Sequence, residues 1–266
     1  MSSVIKNFYN LMFVLVCLFL SGCAWAFNPD QWLEQKIQVK DGLPDSTVFS
    51  IQQDQNGYMW FGTTNGLARY DGYTFKVFKH DGANSDSLAN NNAGNIYIDS
   101  ANKLWIGSFG GGVNTLNLKT GVLKKYPYSS QHSDKMLSEN VQTFYQDSDA
   151  NMWIGTNTGM YKLIDEELTH YQHLENKNSL INSRVWDIDG DEQGNIWIGT
   201  SAGLSQLDSK TGHFNNYKLS ENLVIDVSSN QFRKLYLSDN TLWIGSSTGL
   251  YSFSLAKKTI YSTQSD

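Results

Sequence analysis

Cysteine and proline are scarce. The 266 residues hold two cysteines, Cys17 and Cys23, and three prolines. Both cysteines lie within the first 23 residues, so the rest of the chain can build neither a disulfide nor a thiolate metal site. Charged residues make up 17% of the chain, below the usual quarter. The formal net charge is −6 and no run of Lys and Arg occurs, which argues against a nucleic-acid partner, because phosphate binding needs clustered cations. Heptads and long amphipathic helices are missing after residue 30. So are the nucleophile elbow, the HExxH zinc motif and the P-loop.

What the sequence has instead is a repeat. Five Trp-x-Gly triplets recur: Trp60 with Gly62, Trp105 with Gly107, Trp153 with Gly155, Trp197 with Gly199 and Trp243 with Gly245. The Trp positions step by 45, 48, 44 and 46 residues. A further Gly follows each Trp (Gly66, Gly112, Gly159, Gly203, Gly249), and an apolar residue follows that Gly (Leu67, Val113, Met160, Leu204, Leu250). Self-similarity at this period points to stacked supersecondary units.

Within one copy, 48–54, 58–63, 67–71 and 74–79 read as four short strands joined by Gly, Asn and Asp turns. Four antiparallel strands per repeat give a β-propeller blade. The fold class is therefore all-β, with repeats near 48–79, 93–128, 141–174, 185–218 and 231–263. In each blade the Trp is expected on the second strand, filling the gap to the next blade. Gly two residues on lets that neighbour approach closely. Gly57, Asn102 and Gly194 precede the second strand where a left-handed backbone is needed; Ala150 departs from that pattern and carries strain.

The first 26 residues read as an export signal: Lys6, then an apolar run from Leu11 to Leu20 that is short for a membrane span. Two cleavage readings stand, with an uncleaved anchor as a third outcome. Ala24-Trp25-Ala26 suits ordinary signal peptidase, and Leu20-Ser21-Gly22-Cys23 has the form of a lipobox that would lipidate Cys23. Either places residues 27–266 outside the cytoplasm, in the periplasm, free or held at a membrane by that lipid or by a segment further downstream.

Three stretches carry a family resemblance: DGLPDSTVFSIQQDQNGYMWFGTTNGLARYDG (41–72), SLANNNAGNIYIDSANKLWIGSFGGGVNTLN (87–117) and SRVWDIDGDEQGNIWIGTSAGLSQLD (183–208). They resemble the two-component regulator propeller repeat. That resemblance implies the sensor region of a hybrid histidine kinase or a diguanylate cyclase, with seven blades as the usual number. Five repeats would then be part of a ring. The segment 31–44 reads as a lone strand that closes such a ring, and without the missing blades the first and fifth blades would expose apolar faces, the fifth lined by Leu235, Trp243 and Ile244.

No kinase or cyclase motif is visible, and no catalytic residue, metal site or cofactor is assigned. His170 and His173, three apart on a strand, do not aim at one metal. The acidic run Asp187, Asp189, Asp191 and Glu192 lacks calcium-loop spacing. Few titratable side chains are expected on the propeller axis. The function read from the sequence is an extracytoplasmic ligand-sensing module, for a small molecule, glycan or peptide. A lyase or glycan-active enzyme on the same scaffold, and a protein-interaction scaffold, are the alternatives. Self-association through the open blade edges is expected of the incomplete ring whichever holds. Loops on a rigid scaffold are the usual home of binding. The candidate ligand contacts on the face of the second-to-third-strand turns are Asn65, Phe109, Thr158, Arg184 and Trp186.

Overall fold

The computed structural model describes residues 36–126, 139–165, 167–175, 178–218 and 231–263. The leader, Cys23 and residues 31–35 of the segment expected to be a strand lie outside them. Among the described residues, alternating apolar and polar side chains, punctuated by Gly and Asx turns, give twenty strands in five four-stranded antiparallel sheets, each in simple sequential order. The first sheet holds β1 (Val48–Gln53), β2 (Met59–Thr63), β3 (Gly66–Tyr70) and β4 (Phe75–Phe78). The second holds β5 (Ala93–Ile98), β6 (Lys103–Ser108), β7 (Val113–Asn117) and β8 (Leu123–Tyr126). The third holds β9 (Val141–Gln146), β10 (Met152–Thr156), β11 (Met160–Ile164) and β12 (Glu167–Tyr171). The fourth holds β13 (Val185–Gly190), β14 (Asn195–Thr200), β15 (Gly203–Asp208) and β16 (His213–Tyr217). The fifth holds β17 (Phe232–Ser238), β18 (Thr241–Ser246), β19 (Leu250–Ser254) and β20 (Thr259–Ser262). The sheets sit side by side as blades, with the first strands β1, β5, β9, β13 and β17 in successive contact.

One joint is repeated between blades. Trp60, Trp105, Trp153 and Trp197 lie on the second strands and are at most 4% exposed. Each packs into a cluster built mainly from the next blade: Trp60 with Ile96 and Ile106, Trp105 with Phe144 and Ile154, Trp153 with Ile188 and Ile198, Trp197 with Leu235 and Ile244. A Cβ on Gly62 would come within 2.6 Å of the Ala93 carbonyl oxygen, and one on Gly199 within 2.6 Å of the Phe232 carbonyl oxygen. Glycine is required there because the neighbouring blade is already in contact. Each of these Trp is also held by the turn of its own blade. The indole Nε1 donates to the carboxylate six residues earlier, at Asp54, Asp99, Asp147 and Asp191, over 2.8–2.9 Å. The other carboxylate oxygen accepts backbone N–H groups of the same turn, so one Asp closes the hairpin and orients the ring. The residue before the second strand is left-handed as expected, with φ of 58° at Asn102 and 65° at Ala150.

The fifth blade departs from this pattern. Its first hairpin is shorter, with Ser238 paired directly to Thr241 and Asp239 at φ 52°, and no Asp stands six residues before Trp243. Trp243 is 37% exposed and Leu250 is 47% exposed, where the four equivalent residues Leu67, Val113, Met160 and Leu204 are fully buried. At the other end Ile51 is 52% exposed, where its equivalents Ile96, Phe144, Ile188 and Leu235 are at most 7% exposed. A Cβ on Gly245 would meet only Lys234 of its own blade, at 3.5 Å. The first and fifth blades therefore do not cover one another.

Two expectations are corrected. Leu235 and Ile244 are buried against the fourth blade, so the open face of the fifth blade is that of Trp243 and Leu250. The described part of the segment 31–44 is not a strand. It is irregular and then forms a 3-10 turn over Val39–Asp41, closed by a capping box between Gln38 and Asp41 and by left-handed Gly42.

Candidate functional site

The five first strands share a cleft of about 310 Å³ on the propeller axis. Their alternation puts apolar residues into the interblade joints and the intervening residues toward this cleft. Two equivalent rows result from the strand register. The residues opposite the Trp-x-Gly glycine are Ser50, Asn95, Thr143, Asp187 and Lys234. Those opposite the Trp are Gln52, Tyr97, Tyr145, Asp189 and Tyr236. This corrects the expectation of few titratable groups on the axis. The acidic run of the sequence is split by the turn: Asp191 holds Trp197, while Asp187 and Asp189 face the cleft.

These side chains tie adjacent first strands together, because such strands offer a free backbone edge that no neighbour pairs. Asn95 Nδ2 donates to the Val141 carbonyl at 3.2 Å, and Thr143 Oγ1 donates to Asp187 Oδ1 at 2.8 Å. Buried Asp187 also accepts the Leu235 backbone N–H at 2.8 Å and pairs with Lys234 Nζ at 3.0 Å. Asp189 Oδ2 accepts the Leu237 N–H at 2.9 Å. Burial pushes the Asp189 carboxyl above its ordinary value, outweighing its backbone donors; nearby Asp187 adds to the rise. Burial, then the Asp189 charge, pushes the Tyr145 phenol up to about 12.

At the entry to each first strand the register slips by one residue. Val48 pairs with Thr63 but Ser50 with Gly62, and the same shift recurs in all five blades. A bulge re-aims the extra side chain. The residues so placed are Phe49, Gly94, Gln142, Trp186 and Arg233, beside the second-to-third-strand turns. Gly94 leaves room that Phe109 fills from the turn of its own blade: a Cβ on Gly94 would lie 2.5 Å from the Phe109 ring. Phe109 meets Phe49 edge to face, with centroids 5.4 Å apart. Trp186 Nε1 donates to Ser201 Oγ at 2.9 Å. Its ring carries two guanidinium groups, Arg184 at 4.4 Å and Arg233 at 5.3 Å from the centroid.

The five residues singled out from the sequence thus divide. Arg184 and Trp186 meet directly, and Phe109 lines the same bulge row. Asn65 and Thr158 are occupied elsewhere: Asn65 Nδ2 donates to the Pro44 carbonyl and its Oδ1 accepts from Lys79, while Thr158 Oγ1 donates to Glu139. The equivalents of Trp186 in other blades include Phe49, Gln142 and Arg233. Those three, with Asp187, Asp189 and Lys234, are the site residues that sequence reasoning missed. His170 stacks on Tyr161 at 4.2 Å, and His173 Nδ1 is 2.7 Å from the Leu180 carbonyl oxygen.

Comparison with known proteins agrees with this architecture. The two-component regulator propeller model matches at 42–65, 87–110, 135–158 and 179–202. The extracellular domain of a hybrid two-component system of B. thetaiotaomicron superposes with a TM-score of 0.74 at 25% identity, over 85% of this chain and 31% of that one. A second such domain from the same organism gives 0.66 at 22% identity, over 85% and 28%. Histidine kinase P4 of Formosa agariphila is 43% identical over 49 residues, 18% of this chain and 4% of that protein. The chain spans less than a third of the length of each of these relatives. It carries the two-component regulator propeller repeat in four matched copies, on an all-β fold of four-stranded blades shared with extracellular domains of hybrid two-component systems.

Proposed function

We propose that this chain is the ligand-sensing propeller of a bacterial signal-transduction protein, working outside the cytoplasm. The observation that carries the reading is the axial mouth. Five bulges place Phe49, Gln142, Trp186 and Arg233, with Phe109 in the place left by Gly94, at the heads of the five first strands, whose next residues line one polar cleft that Gln142 itself enters. Aromatic and polar groups converging on a preformed concavity are what a ligand site needs. The blades behind it are rigidly jointed, so the site is preorganised. The similarity to extracellular domains of two-component systems supports placing this face outside the cytoplasm, and the apolar leader supports export with cleavage before Phe27 or acylation at Cys23. A kinase or cyclase output would be coupled through a longer protein, and further blades bringing the ring to seven would cover the open faces.

The axial carboxylates do not favour an enzyme. Asp187 is engaged by Thr143, Lys234 and the Leu235 N–H, which leaves it a structural clamp and not a general base. The test is affinity selection of small-molecule, oligosaccharide and peptide pools on the purified chain, read by mass spectrometry, beside the Phe109→Ala/Trp186→Ala double variant. A compound kept by the parent and released by the variant is expected. Equal retention by both, turnover of the compound, or retention of nothing would overturn the reading.

A further inference from the structure

We infer that the Arg184–Trp186–Arg233 cluster is an oxyanion subsite, and that its ligand is a small organic carboxylate with a flat apolar body. This rests on the ligand-face reading above and specifies its chemistry. Both arginines are exposed, and neither has a carboxylate partner among the described residues, whose one ion pair is Lys234 with Asp187. A guanidinium over an indole keeps outward N–H groups for a planar anion. Arg233 is held in place by one of its own, which donates from Nη2 to Gln231 Oε1 at 2.9 Å. The indole cannot swing away, because Ser201 Oγ accepts from Nε1 at 2.9 Å. Arg184 is fixed at the backbone too: its N–H donates to Asn182 Oδ1 and its carbonyl accepts from the Ser201 N–H.

Position adds to this. Trp186 and Arg233 are the bulged residues of neighbouring first strands, so two blades present the cluster to one mouth. Lys234, next in sequence to Arg233, is 77% exposed and adds a third positive charge beside it, although Asp187 offsets it. From the first two blades the same row supplies Phe49, 47% exposed, and Phe109 in edge-to-face contact with it. Aromatic surface in the same bulge row suits a ligand with a flat apolar body. A guanidinium fork recognises a carboxylate bidentately, and a neutral isostere leaves its donors unmatched.

The experiment is an NMR titration of the purified chain with benzoate, acetate and benzamide at low salt. The reporter is the Trp186 indole N–H, assigned by its loss in Trp186→Phe. Saturable benzoate shifts are expected, with binding at least tenfold tighter than for acetate or benzamide. Arg184→Gln and Arg233→Gln should each weaken benzoate at least tenfold, while Lys103→Gln, in the second blade away from this mouth, leaves it unchanged. The dispersed spectra of the variants show that they are folded. An absence of saturable benzoate shifts, a ratio near one in either comparison, or affinity untouched by both Arg substitutions would overturn the inference. A compound retained in the affinity selection that is neutral would leave the sensing reading standing while sinking this one.

Discussion

An indole N–H buried between two blades must find an acceptor, and in four blades a turn Asp six residues earlier supplies it. Asp147→Ala removes that acceptor and the partner of the Asn151 N–H together. A loss of about 1–3 kcal/mol is expected in urea melts; a change under about 0.5 kcal/mol would mean that water replaces the carboxylate without cost. Asp189 behaves in the opposite sense. Its carboxyl is raised in the fold mainly by burial, so ionisation disfavours the folded state. Stability linked to this group is full below its ordinary value of 3.8 and is lost as pH rises through the raised value. Asp189→Asn keeps an acceptor for the Leu237 N–H and removes the charge. Its stability relative to the parent should therefore increase from acid pH to pH 7, as followed by paired melts across that range. A constant difference would contradict the assigned shift. The turn Asp was legible in the sequence as a fixed spacing to Trp. Asp187 and Asp189 were not, because an alternating strand pattern says which residues share a face but not which face meets the axis.

At the scale of the strand and the joint, close approach is the controlling feature. Gly199 stands where a Cβ would press on the Phe232 carbonyl of the next blade, and Gly245 stands at the same place in a blade with nothing against it. Gly199→Ala should cost about 1–3 kcal/mol through overpacking, while Gly245→Ala should stay within about 0.5 kcal/mol of the parent. Equal costs, read from denaturant midpoints, would show that the glycines serve the strand's own backbone. The strands and turns of each blade were legible because alternation and Gly/Asx punctuation are local. The bulges at Phe49, Gly94, Gln142, Trp186 and Arg233 were hidden, since a one-residue slip is a property of pairing and leaves composition unchanged. The sequence places Phe109 on the turn face, but its filling of the place left by Gly94 depends on the fold that sets the two side by side.

For the molecule as a whole, four interior joints are complete and the outer faces of the first and fifth blades are open. In such an array stability is close to a sum over neighbouring joints. Trp153→Ala empties a completed joint and should cost about 3–5 kcal/mol. Trp243→Ala, at 37% exposure with no blade beyond it among the described residues, should cost well under half as much, and urea melts of the pair give the comparison. The exposed Ile51, Trp243 and Leu250 make apolar ends that invite association. The repeat, its period and its Trp–Gly core were plain in the sequence, but the strand expected before the first blade was not found in the described residues. A three-residue 3-10 turn takes its place there, because Asp41 and Gly42 cap and stop the segment locally.

Tryptophan oxidation by N-bromosuccinimide, mapped by mass spectrometry on the folded chain, tests the repeated joint and the accessible mouth together. Trp60, Trp105, Trp153 and Trp197 should resist modification, each sealed by the next blade, while Trp243 on the open face and Trp186 at the mouth should react first. Protection of Trp243 equal to that of Trp153, or a Trp186 as inert as the joint residues, would contradict the account.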